Sequence, residues 1–540
     1  MKLKPIYSFS ILFSFLLFIS CDSSSSGNEE SCNSPWICSD EQGRETENNY
    51  YDQGAEMLII SPQSMVEVWE EYAYERSLTG VFTQVRAVET ILEQSEGDDA
   101  AAKLRNYLLE QYETNENLRF ILLGGDADDI PYRRVPNEID VSLLGEHYQS
   151  NAPSQLYFSN LYANWDGDQD GIGGELNEDF SLEDARNNQL AVGRLPMETP
   201  NEFNNYFHKY KRYLQSTEEN IYYPLLFSDI AFTSDFTGAI DGAEGIEPTV
   251  TAFFPERMKD NARRLYVTDD AIEKYDAEKI TYQKIRQTLN EGYGFLFHNG
   301  HGSHNSLASL IDKDVIRTFN NQLPNILLSC ACLAGNFADM DEGFQLQDND
   351  DSAGEIYLTD FYGGIAYAGS TAVGLGPWGG SQFLHAMSKA VFEEGLTSLG
   401  EAFNYGRANL ASIDYDIMGS SSGLVEITDE REWWTQHVLV LLGDPSLRIR
   451  TEQAREVEII LPETYTAGYQ TIEIQVNDLE GQPVSDAVVS FYKFNDIYLK
   501  STTDQDGKVS FSFIPYSLKY IEVGVSGGDI IPTSAVIIAQ

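Results

Sequence analysis

Short apolar runs alternate with stretches of helical spacing between residues 51 and 451. Glu56–Ser61 and Leu118–Asp126 are almost continuously apolar, which is typical of strands covered on both faces. Asp98–Tyr112 has the spacing of an amphipathic helix. Further strands are predicted at 81–85, 190–195, 223–228, 294–298, 324–330 and 365–370, and further helices at 64–76 and 201–214. This alternation predicts an α/β protein with parallel-rich, helix-covered sheets.

The pattern also predicts how the chain divides. A new strand at 223–228 follows the helix at 201–214, so we expect two consecutive α/β subdomains, 51–218 and 219–451. From about residue 457 the apolar positions recur with period 2, as in Ile472–Val476, and we expect a hairpin turn at Asp506–Gly507. Residues 455–540 are therefore predicted to form a small β-sandwich.

The N-terminal region has the features of an export signal. Lys2 and Lys4 precede an apolar stretch that is too short for a membrane span, so residues 1–20 are predicted to be a signal peptide. Cys21 then resembles the lipidated cysteine of a bacterial lipoprotein, with residues 21–50 as a flexible tether. We expect a lipid anchor at Cys21 in the outer membrane, at the cell surface; the alternatives are a periplasmic face, or signal cleavage that discards Cys21.

The charge balance limits the partners of the protein. Asp and Glu number 85 against 35 Lys and Arg, which gives a net charge of −50. A surface of this sign repels phosphate backbones and anionic lipid, so nucleic acid is not expected as a partner. The acidity either solvates the surface or serves bound calcium.

Five cysteines fall into three groups. Cys21 is the predicted anchor, and Cys32 and Cys38 lie in the tether, where a local disulfide is favoured over metal binding. Cys330 and Cys332 are the two that remain in the folded body. The chain is therefore not a disulfide scaffold, and these two thiols need a chemical explanation.

Two predicted strands end in residues that suit nucleophilic catalysis. Phe297–Ser303 offers a histidine between two glycines, and Ser329–Phe337 offers the thiols. If the strands are neighbours in a parallel sheet, an imidazole on one can activate a thiol on the other and later protonate the leaving amine. The amides of Gly302 and Cys332 are predicted to form an oxyanion hole.

The two motifs resemble those of the gingipain family, cysteine peptidases with a caspase-like fold. The resemblance rests on Gly300–Ser303 and Cys332–Phe337, and it extends to four further segments at 122–131, 191–196, 363–371 and 442–447. It implies that Cys332 is the nucleophile and His301 the base, with no cofactor for catalysis. Cys330 would be a buried strand residue, although it remains a rival nucleophile, and His298 and His304 lie outside the Gly-His-Gly core. The resemblance also implies an immunoglobulin-like fold for 455–540.

Two further roles follow from the resemblance. Similar chains carry an acidic residue four positions before the glycine of the Val-Gly-Arg segment, where it orients the histidine, but here that position is Gln189. A glutamine can accept a hydrogen bond but cannot stabilise an imidazolium electrostatically, so activity is lowered or a different carboxylate is recruited. Trp378 is expected either to line the primary specificity pocket or to pack in the core.

A second candidate site lies at Asn164–Gly171. The alternating oxygens of Asp166, Asp168 and Asp170 resemble a calcium loop, and gingipain relatives bind calcium. The twelfth position of the loop is Asn177 instead of glutamate, so Glu175, Glu178 or Asp179 would have to substitute. We expect structural calcium here, against the alternative of an acidic turn without metal.

The sequence thus predicts an exported, lipid-anchored cysteine-type endopeptidase that acts on proteins or peptides through an acyl-enzyme. Two alternatives remain. A transpeptidase of the same fold would resolve the acyl-enzyme with an amine, and a catalytically weak surface protein would use the scaffold for binding, which Gln189 makes conceivable.

Overall fold

The computed structural model describes residues 32–34, 37–38, 54–141, 146–234, 238–338, 351–376, 379–412, 427–494, 496–515 and 517–540. The chain divides into two compact units, Met1–Asn49 and Tyr50–Gln540. In the first unit, strands Cys32–Ser34 and Ile37–Cys38 pair antiparallel with Cys32 opposite Cys38. The predicted signal peptide, Cys21 and the side chains of Cys32 and Cys38 lie outside the described residues.

One large sheet organises the second unit. Its eleven described strands, in spatial order, are Glu278–Lys279, Arg263–Tyr266, Pro224–Ser228, Phe295–Asn299, Asn325–Ser329, Gly364–Ser370, Leu439–Gly443, Ala191–Leu195, Phe120–Gly124, Met57–Ser61 and Thr83–Ala87. The first six run parallel to one another, and so do the last five. The halves meet in the antiparallel pair of Gly364–Ser370 with Leu439–Gly443. The expected parallel-rich α/β fold is confirmed.

The central strands are buried along their whole length, which explains why their sequences lack a polar face. Every residue of Met57–Ser61, Phe120–Gly124 and Phe295–Asn299 is buried. Strands from both predicted subdomains belong to this one sheet, since Leu439–Gly443 pairs with Ala191–Leu195. The two predicted α/β segments therefore share a continuous sheet.

The helices begin at residues that cap their first turns. Asp99 accepts a hydrogen bond from the Ala102 amide, and Thr199 forms a capping box with Glu202 ahead of Pro200. The described α-helices are Val66–Leu78, Val88–Gln94, Ala100–Thr114, Leu156–Ser159, Leu182–Arg186, Pro200–Leu214, Ala243–Phe253, Glu256–Asp260, Asp269–Tyr275, Tyr282–Glu291, Lys313–Ile316, Ala353–Thr359, Gly380–Phe392, Leu399–Ala408 and Asp429–Val438. Short 3-10 helices lie at Gln63–Met65, Glu219–Ile221 and Leu410–Ser412. No helix among the described residues has the length and apolar content needed to cross a membrane.

In the α/β part of the second unit, three described two-stranded hairpins lie outside the large sheet, and the sequence patterns did not predict them. They are Arg133–Val141 with Glu146–Ser154, Ile230–Ser234 with Gly238–Asp241, and Ser306–Ala308 with Ile311–Asp312. Ile139 and Ala152 of the first hairpin pack in a small core with Trp434 and Val438 of the helix Asp429–Val438.

The C-terminal residues form two packed sheets. One contains Val457–Ile460, Gln470–Asp478 and Lys508–Phe513, and the other contains Thr464–Tyr465, Ile530–Ala539, Ile521–Gly527, Val488–Lys493 and Ile497–Thr502. Phe491 of one sheet stacks on Phe511 of the other, with ring centroids 5.3 Å apart. The hairpin expected at Asp506–Gly507 is wrong, because the strands on either side of this turn belong to different sheets.

The sandwich packs directly against the α/β body. Ser490 Oγ donates a hydrogen bond to the Leu78 carbonyl oxygen at 2.6 Å, and the rings of Phe82 and Tyr498 stack with centroids 4.4 Å apart. Lys500 forms an ion pair with Glu56. Polar, aromatic and charged contacts therefore all cross the interface between the α/β body and the sandwich, which is the seam between them.

A buried ion pair ties the first helix to the segment after Leu439–Gly443. The Nε of Arg76 lies 3.1 Å from Asp444 Oδ2, and Tyr72 donates to the same oxygen at 2.7 Å. Ser446 donates its amide to Asp444 Oδ1 at 2.7 Å and accepts from Arg76 through its hydroxyl. Asp444 is completely buried, so these hydrogen bonds and the ion pair take the place of the water that would otherwise solvate its carboxylate.

We predict that Asp444→Ala lowers the free energy of unfolding by ~3–5 kcal/mol, because it leaves the buried Arg76 guanidinium without its counter-ion. Denaturant titration measures the loss. The matched control is Asp314→Ala, which removes an ion pair with Arg317 from an almost fully exposed carboxylate and should cost ~0–1 kcal/mol. Equal losses in the two variants would contradict the prediction.

Candidate active site

Two neighbouring strands bring the histidine and thiol motifs together. Phe295–Asn299 pairs in parallel with Asn325–Ser329, and His298 lies opposite Ser329. His301 and Cys332 each follow this pair by three residues (301 − 298 and 332 − 329). Because adjacent strands lie ~4.8 Å apart, both residues leave the sheet at the same place on its edge.

The glycines beside His301 permit backbone contacts that a side chain would block. A Cβ on Gly300 would lie 2.5 Å from the Cβ of Asp229, and a Cβ on Gly302 would lie 2.6 Å from the Cβ of Ala331. Ala331 directly precedes Cys332, so the His301 loop lies against the Cys332 loop. His301 itself is exposed to solvent.

The sulfur of Cys332 lies beside the backbone of Gly374. The Gly374 amide donates to Sγ at 3.3 Å, and Sγ lies 3.7 Å from the Gly374 carbonyl oxygen. The next residue, Leu333, has a φ of 58° in the left-handed region, which is costly for a residue with a branched side chain. Its amide donates to the Ala372 carbonyl oxygen at 2.9 Å, which holds this turn in place.

A tryptophan fixes the segment that contacts the sulfur. The indole Nε1 of Trp434 donates to the carbonyl oxygen of Val373 at 2.8 Å. Trp434 is completely buried against the hairpin Arg133–Val141 with Glu146–Ser154. The position of Gly374 beside Cys332 therefore depends on the small core that Trp434 forms with this hairpin.

Cys330 occupies a different environment from Cys332. It is 4% exposed, and a Cβ on Gly380 would lie 3.0 Å from its sulfur. Burial, together with the neighbouring Cys332, raises the pKa of the Cys330 thiol far above its usual value. Cys330 therefore stays protonated and packs as a small apolar side chain.

A buried chain of hydrogen bonds connects the strand ends, and the sequence reasoning missed it. The Nε2 of His298 lies 3.3 Å from Asp229 Oδ2, and its Nδ1 lies 2.8 Å from the Ser329 hydroxyl. Ser329 Oγ in turn accepts from the Ala331 amide at 3.1 Å. His298 is completely buried and stacks on Phe227. This chain joins three adjacent strands just below His301 and Cys332.

The donors expected for the oxyanion hole lie on the two loops that meet. Gly302 is held against Ala331, one residue before Cys332. Within the described part of the chain, the Gly302 amide donates no hydrogen bond. This amide is therefore available to a substrate oxygen.

Gln189 is not brought together with His301. Its Oε1 accepts from the amides of Leu161 at 2.7 Å and Tyr162 at 3.3 Å, and its Nε2 donates to the Asn187 carbonyl oxygen at 2.9 Å. Three strands separate Phe295–Asn299 from the strand that follows Gln189. The acid beside the His301 loop is instead Asp229. Trp378 lies outside the described residues, and His304 is buried.

The acidic loop gathers a different set of carboxylates from the one expected. Oxygens of Asp166, Asp168 and Asp179 lie within 4.8 Å of one another. Asp170 Oδ1 instead accepts from the Ile172 amide at 2.7 Å. Asp179 Oδ2 accepts from the amides of Gly174 and Glu175, which fixes it beneath the loop. Asp179, one of the three substitutes considered from the sequence, therefore replaces Asp170 in the cluster.

We predict that Asp229→Asn lowers the melting temperature (Tm) most at neutral pH. Burial raises the pKa of Asp229. The hydrogen bond and charge of His298, together with the hydrogen bond from the Ser309 amide, lower this pKa by more, so it lies below its usual value. The ionised form therefore stabilises the fold above the unfolded pKa of ~3.9, and this contribution is lost as pH falls through the lower folded pKa. Thermal unfolding from pH 3 to 8 should show the two proteins converging at the acid end.

The control is Asp314→Asn. The carboxylate of Asp314 is 96% exposed, so this substitution should change the Tm little at any pH. A difference between Asp229→Asn and the native protein that stays constant down to pH 3 would contradict the assigned interaction.

Comparison with known proteins bears on the family and the fold of the chain. The model of peptidase family C25 matches residues 50–450. Two similar solved structures are of RgpB. The complex of the Porphyromonas gingivalis RgpB pro- and mature domains is 16% identical, over 90% of this chain and 100% of that chain, with a TM-score of 0.63. The Arg-specific cysteine proteinase gingipain R is 15% identical, over 90% of this chain and 98% of that chain, with a TM-score of 0.64.

A third solved structure, described as a protease, is 13% identical over 91% of this chain and 99% of that chain, with a TM-score of 0.65. Comparison with curated proteins gives no match. At these identities the solved structures support the fold alone. The family model spans most of the chain, and the protein therefore belongs to peptidase family C25, the gingipain family of cysteine peptidases.

Proposed function

We propose that the protein is a cysteine-type endopeptidase with Cys332 as nucleophile and His301 as general base. The observation that carries the proposal is the shared position of the two residues, each three residues beyond the paired His298 and Ser329. The contact of Gly302 with Ala331 supports it, because it brings the two loops against each other. Cys330 is too deeply buried to compete.

The reaction follows from these positions. His301 takes the thiol proton as the Cys332 sulfur attacks the scissile carbonyl carbon, and the amides of Gly302 and Cys332 donate to the oxyanion. The C–N bond then breaks, and His301 returns its proton to the leaving amine. Water, deprotonated by His301, hydrolyses the acyl-enzyme, and the sulfur leaves and regains a proton. No cofactor takes part in these steps.

His301 works as half of a dyad in this proposal. Its ring makes no hydrogen bond with the described residues, so both nitrogens are accessible to substrate and sulfur. Catalytic hydrogen bonds are often long before substrate binds and shorten in the complex. Asp229 supports the loop through its contacts with Gly300 and His298.

We also propose that the enzyme is exported and anchored through Cys21 to the outer membrane at the cell surface. The lysines and apolar stretch before Cys21 support export, and the serines after it suit a flexible tether. A peptidase at this place would act on extracellular proteins or peptides.

Structural calcium in the acidic loop completes the proposal. Asp166, Asp168 and Asp179 offer three carboxylates within reach of one ion, and hard oxygen ligands suit calcium. The pKa of Glu175 is raised by burial and by the charges of Asp170, Glu178, Asp179 and Asp168, which a divalent cation would offset. The ion would stabilise the loop and take no part in the reaction.

We predict that acyloxymethyl ketone probes label the native protein and Cys330→Ala but not Cys332→Ala. Peptide hydrolysis by Cys332→Ala and by His301→Ala should fall by at least ~10³-fold, because each removes one half of the nucleophilic pair. Probes that differ in the P1 residue also report the specificity.

Two outcomes separate the alternatives. Products that carry an added amine in place of water would show transpeptidation. Labelling that persists in Cys332→Ala and disappears in Cys330→Ala would contradict the assignment of the nucleophile, and an absence of all labelling in calcium-containing buffer would contradict the peptidase proposal itself.

We predict that calcium raises the Tm of the native protein and that chelation reverses the rise. Asp168→Asn should abolish most of the shift, since it removes one carboxylate of the cluster. Asp170→Asn, two residues away and outside the cluster, is the matched control and should keep it. A shift that both variants retain equally would contradict the proposed ligands.

A further inference from the structure

A cavity of about 450 Å³ lies at the seam between the α/β body and the β-sandwich. Its volume falls within the ~300–1,000 Å³ of ordinary small-molecule sites. Both parts of the chain contribute to its walls, including Arg448 and Arg450 from the end of the body and Lys500 and Ser526 from the sandwich. Cys332 does not line the cavity.

The walls carry an excess of positive charge. Five cations line the cavity, namely Arg76, Arg119, Arg448, Arg450 and Lys500. Glu56 and Glu401 on the walls and Asp444 behind Arg76 oppose them, which gives a balance of +2 (5 − 3). The whole chain has a net charge of −50. The sign of the local field is therefore opposite to that of the protein as a whole.

Three of the five cations already have carboxylate partners. Arg76 pairs with Asp444, Arg119 with Glu401, and Lys500 with Glu56. The two that remain, Arg448 and Arg450, are neighbours in the segment that joins the body to the sandwich.

Arg450 is 4% exposed, yet it meets no carboxylate within hydrogen-bonding distance among the described residues. Its Nη2 donates to the Leu214 carbonyl oxygen at 2.9 Å and its Nη1 to the Gly528 carbonyl oxygen at 3.4 Å. Carbonyl oxygens satisfy the donors but leave the charge uncompensated, which is costly for a buried group.

Arg448 presents a second guanidinium to the same space. It packs on the backbone of Gly528, where a Cβ would lie 3.0 Å from its Nη2. In the described chain its guanidinium has neither a hydrogen bond nor an ion pair. The nearby carboxylate, Asp529, is already paired with Arg455 at 2.9 Å. Burial lowers the pKa of both Arg448 and Arg450, and Asp529 only partly opposes this.

We propose that this cavity is a binding site for a phosphate group carried by a small molecule. Arg450, buried without a carboxylate partner, and the exposed Arg448 together supply a charge of +2, which matches the ~1.5–2 negative charges of a phosphate monoester near neutral pH. Guanidinium forks donate pairs of hydrogen bonds to phosphate oxygens. Ser501 and Thr502 also line the cavity, and their hydroxyls provide further donors.

A phosphate bound in the cavity would contact both the α/β body and the sandwich. Arg448 and Arg450 belong to the body, whereas Ser501, Thr502 and Ser526 belong to the sandwich. A ligand that contacts both is lost when the seam opens, so its binding free energy adds to the stability of the closed form.

The test is calorimetric titration of inorganic phosphate into the purified protein in calcium-free buffer, with ionic strength held constant by sodium chloride. We expect saturable binding of one phosphate per chain and a saturating rise in Tm of ~1–3 °C. Arg448→Gln should raise the dissociation constant at least ~10-fold, because it removes charge-assisted hydrogen bonds from the ligand.

The matched control is Arg257→Gln, which changes the net charge equally. Arg257 is 54% exposed in its side chain and pairs with Glu219 on the body, so its loss should leave phosphate binding unchanged. The Tm of Arg448→Gln without phosphate reports whether that variant folds normally. Arg450→Gln provides a second test from the buried side of the cavity.

Three outcomes would overturn the proposal. They are phosphate binding that does not saturate, binding that Arg448→Gln and Arg450→Gln leave intact, and binding of acetate as tight as that of phosphate, which would assign the site to carboxylates. None of these readouts uses peptidase activity, so the outcome is independent of the proposed function.

Discussion

The parallel pairing of Phe295–Asn299 with Asn325–Ser329 is the constraint on which the candidate active site depends. A shift of the register by one residue would turn His298 and Ser329 to opposite faces of the sheet and separate the two motifs. Burial of both strands along their whole length does not select this register by itself, because a shifted strand would still be covered on both faces. The polar chain from Asp229 through His298 to Ser329 adds a directional contact that only one register satisfies.

The local pattern of apolar residues was enough to predict most strands of the large sheet. Residues such as Met57–Ser61 and Asn325–Ser329 are buried on both faces, so their sequences are apolar without interruption. The same reasoning placed the candidate catalytic residues at the ends of two such strands. It did not predict that one sheet unites both α/β segments, because the spatial order of strands depends on contacts between distant residues.

The parts of the site that the sequence reasoning missed are those that depend on this order. Asp229 follows the strand Pro224–Ser228, which becomes the neighbour of Phe295–Asn299 only in the folded sheet. Asp179 joins Asp166 and Asp168 because the chain turns back at Gln169 and Gly171, both with positive φ. Spacing along the chain favoured Asp170, whereas the backbone turn directs Asp170 to the Ile172 amide.

Segments that resemble the gingipain family outside the two catalytic motifs have a structural explanation. A Cβ on Gly193 would lie 2.2 Å from the carbonyl oxygen of Gly443, so the segments 191–196 and 442–447 meet beside the antiparallel pair that joins the two halves of the sheet. Asp444, in the second segment, holds Arg76 of the first helix. The Cζ of Arg194, in the first segment, also lies 4.5 Å from the ring centroid of Phe337, so this segment packs against the end of the thiol motif.

The contrast between Cys330 and Cys332 shows how one strand end can give two thiols different chemistry. Cys330 is still within the layer covered by the helix Gly380–Phe392, where burial favours the neutral thiol. Two residues later the chain has left the sheet, and the left-handed Leu333 turns it so that the Cys332 sulfur meets the Gly374 amide. An amide donor aimed at sulfur stabilises negative charge there, whereas apolar packing opposes it. The point at which the chain emerges from the sheet therefore gives the two thiols different environments.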